Sequence, residues 1–319
     1  MRGLYRFTED GIVVGEVENI ITTEGKNLIA KYLGGLVPSY AGAIAVGVGT
    51  TPATVTDKTL EYEVARSSIA VRNVTGPYAE IYQVSFKAVL PNQLEGVIRE
   101  SAIISQEFNR YAGSYGDKLL SKFTSGEGWS TVSSSNMTQT YESIGYDVLG
   151  NSVRIGGEAS RFSATSAASP SISIESSAIQ GDFSGYSSAD QFALAYSGYY
   201  VSAGTSIEVR FYSDVSSYYT ITLTPAVNTA SIWTYGILKF IKSNFSVAGA
   251  PSWSSISKVG VISSTNNAST NFMLDGLSIF DTDYINPDYA MISRSVSANQ
   301  IVKSAGKTMD VEYFLEFKL

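Results

Sequence analysis

The chain has 319 residues, a net charge of −7 and neither cysteine nor histidine. The missing cysteines exclude disulfides, thiol nucleophiles and zinc–thiolate sites, and the missing histidines exclude Ser-His-Asp and Cys-His catalysis and any imidazole acid–base. The acidic balance lacks the electrostatic footprint of a nucleic-acid binder, and no apolar run approaches the roughly 20 residues that insert across a membrane as a helix.

The start, MRGLYRFTEDG, has no apolar leader segment. Residues 4–21 read as two short strands around the turn TEDG (8–11). TTEGKNLIAKYLGG then predicts the clearest helix of the chain. Thr22 or Thr23 caps it, and Glu24 suits the positive end of the macrodipole. Leu28, Ile29, Tyr32, Leu33 and Leu36 recur at helical spacing as one apolar stripe, and Gly34 and Gly35 stop it.

Everything after the helix reads as strand and turn. GAIAVGVGTT places Ile44, Val46 and Val48 on one face with only Ala and Gly between them. Such small residues admit close approach by another backbone or a neighbouring subunit; the simpler reading is a sandwich strand that needs space. TTPATVTD is a turn-rich loop, and TLEYEVARSSI and YAEIYQVSFKAVL follow as alternating strands, with Tyr82, Val84, Phe86 and Ala88 on one face. In the last strand, TMDVEYFLEFKL, Met309, Val311, Tyr313, Leu315 and Phe317 alternate with mostly charged residues.

From 109 to 283 the chain is Ser-rich, with short strand-like runs such as NSVRIGG, SISIESS, SIEVRFYSD and YYTITLTP separated by turn signals. Regular short strands without helices predict a β-sandwich or jelly roll. The tail after 284 holds two strands and no core of its own, and two strands do not stand alone in water. They pair most simply with the first region, with 98–105 and 289–296 as neighbours. The expected fold class is therefore mainly all-β. Residues 1–108 and 284–319 form a discontinuous β-sandwich with one helix, and 109–283 an inserted jelly-roll β-sandwich. Loop closure grows only logarithmically with length, so such an insert is tolerated.

The segments NIITTEGKNLIAKYLGG, AIAVGVGTTPATVTDKTLEYEVAR, IRESAIIS and AMISRSV…QIVKSAGKTMDVEYFLEF together resemble a family of tailed-bacteriophage virion proteins, with tail-fibre, base and head-decoration members. In short members of that family a few loop residues join the two strands that flank 109–283 here. The resemblance implies a domain anchored to capsid or tail, on the virion exterior, with other virion proteins as partners and a homo-oligomeric state. Leu28, Tyr32, Leu36, Ile44, Val46 and Val48 are the expected anchoring or assembly residues.

The insert is similar to jelly-roll carbohydrate-binding modules through GEGWSTVSS, GYDVLGNSVRIGG, APSWSSISKVGVIS and FMLDGLSIFD. That similarity implies a cell-surface glycan as partner. Flat aromatic faces would meet the pyranose, and the expected carbohydrate-binding residues are Tyr199, Tyr200, Tyr212, Tyr218, Tyr219 and Trp129. Trp233 and Trp253 occupy positions where such sandwiches place structural aromatics. Adjacent tyrosines on a strand point to opposite faces, so one of each pair faces outward or into a groove. A structural calcium between first and last strands is the one implied cofactor, with Asp275 as its ligand. Glu158, Glu175, Glu208 and Asp214 could supply the two carboxyls of a glycosidase, but no motif selects a pair. The reading is a non-enzymatic virion structural protein that displays a module for host-surface or glycan attachment. The alternatives are a cement protein without ligand and a carbohydrate-active enzyme acting through carboxylates.

Overall fold

The computed structural model describes residues 2–36, 41–78, 81–105, 118–143, 154–166, 168–280 and 291–318. In chain order its first elements are β1 (Arg2–Glu9), β2 (Ile12–Glu18), β3 (Ile20–Ile21), α1 (Thr23–Leu33), β4 (Ala43–Gly47), β5 (Glu63–Ser68), β6 (Val71–Tyr78), β7 (Ile81–Leu90) and β8 (Gly96–Ile104). There follow β9 (Lys118–Ser121), β10 (Ser130–Ser135), β11 (Met137–Ser143), β12 (Glu158–Ala164), β13 (Ser171–Ser176), β14 (Gln191–Tyr199) and β15 (Ser206–Tyr212). The last are β16 (Tyr218–Leu223), β17 (Thr234–Ile241), β18 (Ser246–Ala248), β19 (Lys258–Ser264), β20 (Asn271–Phe280), β21 (Met291–Lys303) and β22 (Met309–Lys318). They form two compact units, Met1–Tyr115 with Asp283–Leu319, and Gly116–Thr282. The junctions expected at 108/109 and 283/284 lie outside the described residues, as do 151–153 of the expected strand NSVRIGG.

The discontinuous unit is two five-stranded sheets, ordered β2-β1-β22-β7-β6 and β3-β21-β8-β4-β5. Both tail strands are interior: β22 lies between β1 and β7, and β21 lies between β3 and β8. Their alternation explains why. Met309, Val311, Tyr313 and Leu315 are all buried, together with Tyr5 and Phe7 of β1 and Ile44, Val46 and Ile103 of the opposite sheet, in one core. Without β21 and β22 each sheet would be cut into two pieces.

One carboxylate ties this unit together from inside. Glu100 on β8 is fully buried, and its Oε1 accepts the N–H of Gly49 (3.1 Å) and Tyr62 (2.8 Å), while Oε2 accepts that of Glu61 (2.9 Å). Arg294 on β21 donates to the same Oε2 from Nε (3.1 Å) and Nη2 (2.9 Å). Its Nη1 reaches Asp57 at 2.7 Å and its Nη2 the carbonyl of Thr51 at 3.1 Å. Burial pushes the Glu100 carboxyl upward; Arg294 and the backbone donors oppose that rise.

The residues between Ile44, Val46 and Val48 are small because backbone and side chain approach closely there. A Cβ on Gly47 would overlap the carbonyl of Tyr62 and the Glu100 carboxylate. The approach comes from within this unit. It corrects the assignment of Ile44, Val46 and Val48 as assembly residues, because all three are fully enclosed within this unit. Ile44 and Val46 of β4 lie in the core between the two sheets, and Val48 just past the strand is equally enclosed.

Helix α1 is capped by Thr22, whose hydroxyl accepts the Gly25 N–H at 2.9 Å, and Gly34 closes it. The predicted stripe is only partly used. Ile29 is buried and Leu28 packs on the core, but Tyr32 and Leu33 face solvent and Leu36 lies beyond the helix end, 76% exposed. A short helix on a sandwich buries a narrow strip, here Gly25 and Ile29.

The continuous unit is a second sandwich, of sheets β10-β13-β19-β15-β16-β18 and β11-β12-β20-β14-β17, with β9 added beside β20. Its core interleaves Ile172, Ile174, Val209 and Phe211 of one sheet with Phe162, Phe192, Leu194 and Phe272 of the other. The fold class is all-β.

Glu100→Gln leaves Arg294 half-partnered and turns an amide donor toward backbone donors. Breaking a buried pair of this kind costs about 3–5 kcal/mol. Urea unfolding followed by circular dichroism should show that loss, and an unchanged midpoint would contradict the role assigned to Glu100.

Candidate functional site

The strand register and the alternation of burial gather a set of polar and aromatic side chains on the outer face of the β10-β13-β19-β15-β16-β18 sheet. Val259 and Val261 of β19 and Ile207, Val209 and Phe211 of β15 point into the core, so Lys258, Gly260, Glu208, Arg210 and Tyr212 point out. Registers place Gly260 between Glu175 of β13 and Arg210, Lys258 opposite Tyr212, and Tyr212 opposite Tyr218 of β16.

These groups interlock. The Tyr212 and Tyr218 rings lie 5.2 Å apart at 52°. The Arg210 guanidinium sits 4.6 Å over the Tyr218 ring and the Lys258 ammonium 4.8 Å over that of Tyr212. Arg210 Nε donates to Glu208 at 2.6 Å, Thr220 donates to the same oxygen at 2.6 Å, and Lys258 pairs with Glu175. Gly260 forms the floor. A Cβ there would be 2.9 Å from the Tyr212 ring and 3.3 Å from Glu175 Cγ, so the bare backbone lets the ring and the carboxylate stem close down over the strand. Burial would raise the Glu208 carboxyl, but hydrogen bonds from Arg210 and Thr220 outweigh it and hold the group below its ordinary value. An acid so held is ionised at neutral pH and is an acceptor for hydroxyl groups.

The six aromatics predicted for sugar binding separate into three places. Tyr212 and Tyr218 share the face just described; Tyr212 is buried at 6% exposure, so Tyr218 is the ring that solvent reaches. Tyr199 and Tyr200 meet edge-to-face at 4.9 Å at the end of β14, in the other sheet, with Trp233 5.5 Å from Tyr199. Opposite facing fails for this pair because the strand ends at Tyr199 and Tyr200 adopts a left-handed φ of 52°.

Trp129 and Tyr219 are corrections. Trp129 is buried against Phe123 at 4.8 Å, with its indole N–H donated to Ser121 at 3.1 Å. Tyr219 turns inward, stacks on Trp253 at 4.0 Å and donates its hydroxyl to the carbonyl of Pro251. Trp253 packs on the core as read from the sequence, whereas Trp233 packs with Ala159 and Met273 in a separate cluster and lies 5.6 Å from the Arg161 guanidinium. Arg210, Lys258 and Gly260 were missed. Their signal was present: charged residues and glycine at alternate positions of SIEVRFYSD and SKVGVISS mark an outward face.

The four acids considered for hydrolysis have separate tasks. Glu175 and Glu208 are ion-paired on the sheet face, Glu158 accepts the Ser125 N–H at 2.6 Å, and Asp214 closes a turn by accepting from the backbone of Ser216 and Ser217.

Asp275 lies fully buried at the β-bulge of β20 against β14. Its oxygens accept the N–H of Arg154 at 2.9 Å and of Ile155 at 3.1 Å, so it fastens the segment before β12 to the sheet. The donor set does not fit calcium. Two N–H groups and a nearby guanidinium face the carboxylate, and among the described residues no group of three acidic side chains forms.

Burial pushes the Asp275 carboxyl up to about 7, although the N–H donors of Ile155 and Arg154 pull the other way. The folded state therefore keeps a proton that the unfolded chain releases near pH 4, and stability falls as pH rises from about 4 to about 7. Above that window it levels off. All three tryptophans lie in this unit, so their fluorescence reports its melting. Melts from pH 4 to 8 should show the decline, and Asp275→Asn should flatten it; an equal slope in both proteins would refute the assignment.

No known protein family and no curated protein matches the sequence. Among solved structures, the chain is similar to the family 11 carbohydrate-binding module from Clostridium thermocellum in complex with a β-1,3-1,4-mixed-linked tetrasaccharide. The identity is 14% over 53% of this chain and 97% of that one, with a TM-score of 0.36. It is also similar to the glycoside hydrolase domain of Endo-D from Streptococcus pneumoniae, at 15% identity over 48% of this chain and 21% of that one, TM-score 0.31. A third likeness is to a module called TmCBM61 in complex with β-1,4-galactotriose, at 10% identity over 50% of this chain and 99% of that one, TM-score 0.30. At such distances no residue role passes from those proteins to this one.

Proposed function

We propose that the chain is a non-enzymatic bacteriophage virion protein whose continuous unit binds glycan on the outer face of the sheet that holds β13, β19, β15 and β16. The observation that carries the glycan reading is the composition of that face: the half-exposed ring of Tyr218 set among Arg210, Glu208, Glu175 and Lys258. An aromatic ring supplies a surface for the C–H face of a sugar, and fixed charged groups donate to and accept from its hydroxyls. The ion pairs hold these groups in place before a ligand arrives, which lowers the entropy lost on binding.

The virion reading is supported by the resemblance of the first and last segments to phage particle proteins. On this reading the discontinuous unit anchors to capsid or tail as a homo-oligomer, on the particle exterior, and presents the sandwich to a host or environmental glycan. Many copies on one particle make weak single sites sufficient, because linked binding events raise avidity by roughly 10²–10⁴. Glu208, held below its ordinary value by Arg210 and Thr220, is no proton donor at neutral pH, which supports binding without hydrolysis there.

A glycan array probed with the full-length protein should show a retained class of sugars, and Tyr218→Ala should weaken it at least tenfold with folding unchanged. Wild type that retains nothing would favour a cement protein, and cleavage of the bound glycan would favour an enzyme.

A further inference from the structure

The discontinuous unit has a cleft of its own, about 500 Å³, between the Thr50–Ala53 loop and residues 295–298 of β21. Its walls are aliphatic at Ile20, Pro52 and Val296 and hydroxylated at Thr50, Ser295 and Ser297. Two guanidinium groups reach it. That of Arg294 is neutralised by Glu100 and Asp57. That of Arg99 has no acidic partner among the described residues. It is half-buried, its Nη1 donates to the carbonyls of Ser297 (3.3 Å) and Ala298 (2.6 Å), and its Nε is shut from water without an acceptor. Burial lowers its pKa, and no neighbouring charge among the described residues opposes that shift. Glu18, the acidic side chain lining the cleft, is engaged by Arg2.

A half-buried cation without a counter-charge is stabilised when an anion arrives. We propose that this cleft receives an acidic side chain, Asp or Glu, from a neighbouring polypeptide, with the carboxylate on Arg99 and the flanking residue against the aliphatic wall. The chemistry favours a peptide over an acidic sugar, because among the described residues no aromatic ring lines the cleft to meet a pyranose face. The inference deepens the anchoring reading and rests on it for the partner, but the cleft is testable without a particle.

The probe is Nα-acetyl-glutamic acid amide, compared with its glutamine counterpart, with glucuronate and with chloride. The readout is the Arg99 Nε–Hε resonance of the full-length protein, assigned through its loss in Arg99→Gln. A saturable shift with the glutamic acid compound, at least tenfold greater than with the other three, is the expected result. Equal shifts with the glutamine compound, a larger response to glucuronate, or no response at all would each overturn the proposal. Because all four arms use wild-type protein, a misfolded variant cannot decide the outcome. Failure in this experiment would leave the particle location of the chain, measured by electron microscopy, to judge anchoring separately.

Discussion

The contact between Glu100 and Arg294 is the constraint on which the discontinuous unit depends. One carboxylate accepts from the backbone at residues 49, 61 and 62 and from a guanidinium on β21, nearly two hundred positions away. Taking both charges out of water carries a penalty of several kcal/mol per ion, and here it is offset only because Glu100 receives five hydrogen bonds. The arrangement also selects a register. A one-residue slip of β21 on β8 would carry Arg294 to the other face of the sheet, away from both carboxylates. With β21 fixed, the chain is delivered to β22 in the middle of the facing sheet.

The candidate glycan face uses charge in a different setting. Its ion pairs are partly solvated, so each contributes little to stability. What they do is position: Arg210 lies against Tyr218, Lys258 against Tyr212, and Glu208 is held by Arg210 and Thr220 together. A face built this way is preformed and polar, with one accessible ring. On the proposed reading, that combination suits a hydroxylated ligand and lowers the entropy lost in binding it.

Much of the fold was legible. The pairing of β21 with β8 followed from two tail strands that had no core of their own, and the inward face of β22 could be read from strict alternation. Thr22 and Gly34 bounded the helix correctly. What failed were inferences that needed the third dimension. Periodicity gave a long stripe on α1, but nothing in the sequence said that the sandwich would cover only Gly25 and Ile29. Ile44, Val46 and Val48 looked available because their neighbours are small; the structure fills that space with Glu100. Among the aromatics, alternation separated Tyr218 from Tyr219, while Trp129, named for sugar binding, lies in the core, as a tryptophan most often does. The charged ring around Gly260 spans four strands and became visible only when their registers were known.

Hydrogen exchange on a chain ending at residue 290 tests most directly whether the two outer pieces close a single body. Loss of β21 and β22 removes one interior strand from each sheet, so amides of β1, β7, β8 and β4 should exchange at rates near those of an unfolded chain. If those amides kept the protection seen in the full-length protein, the amino-terminal region would be a fold in its own right and the single-body topology would be wrong.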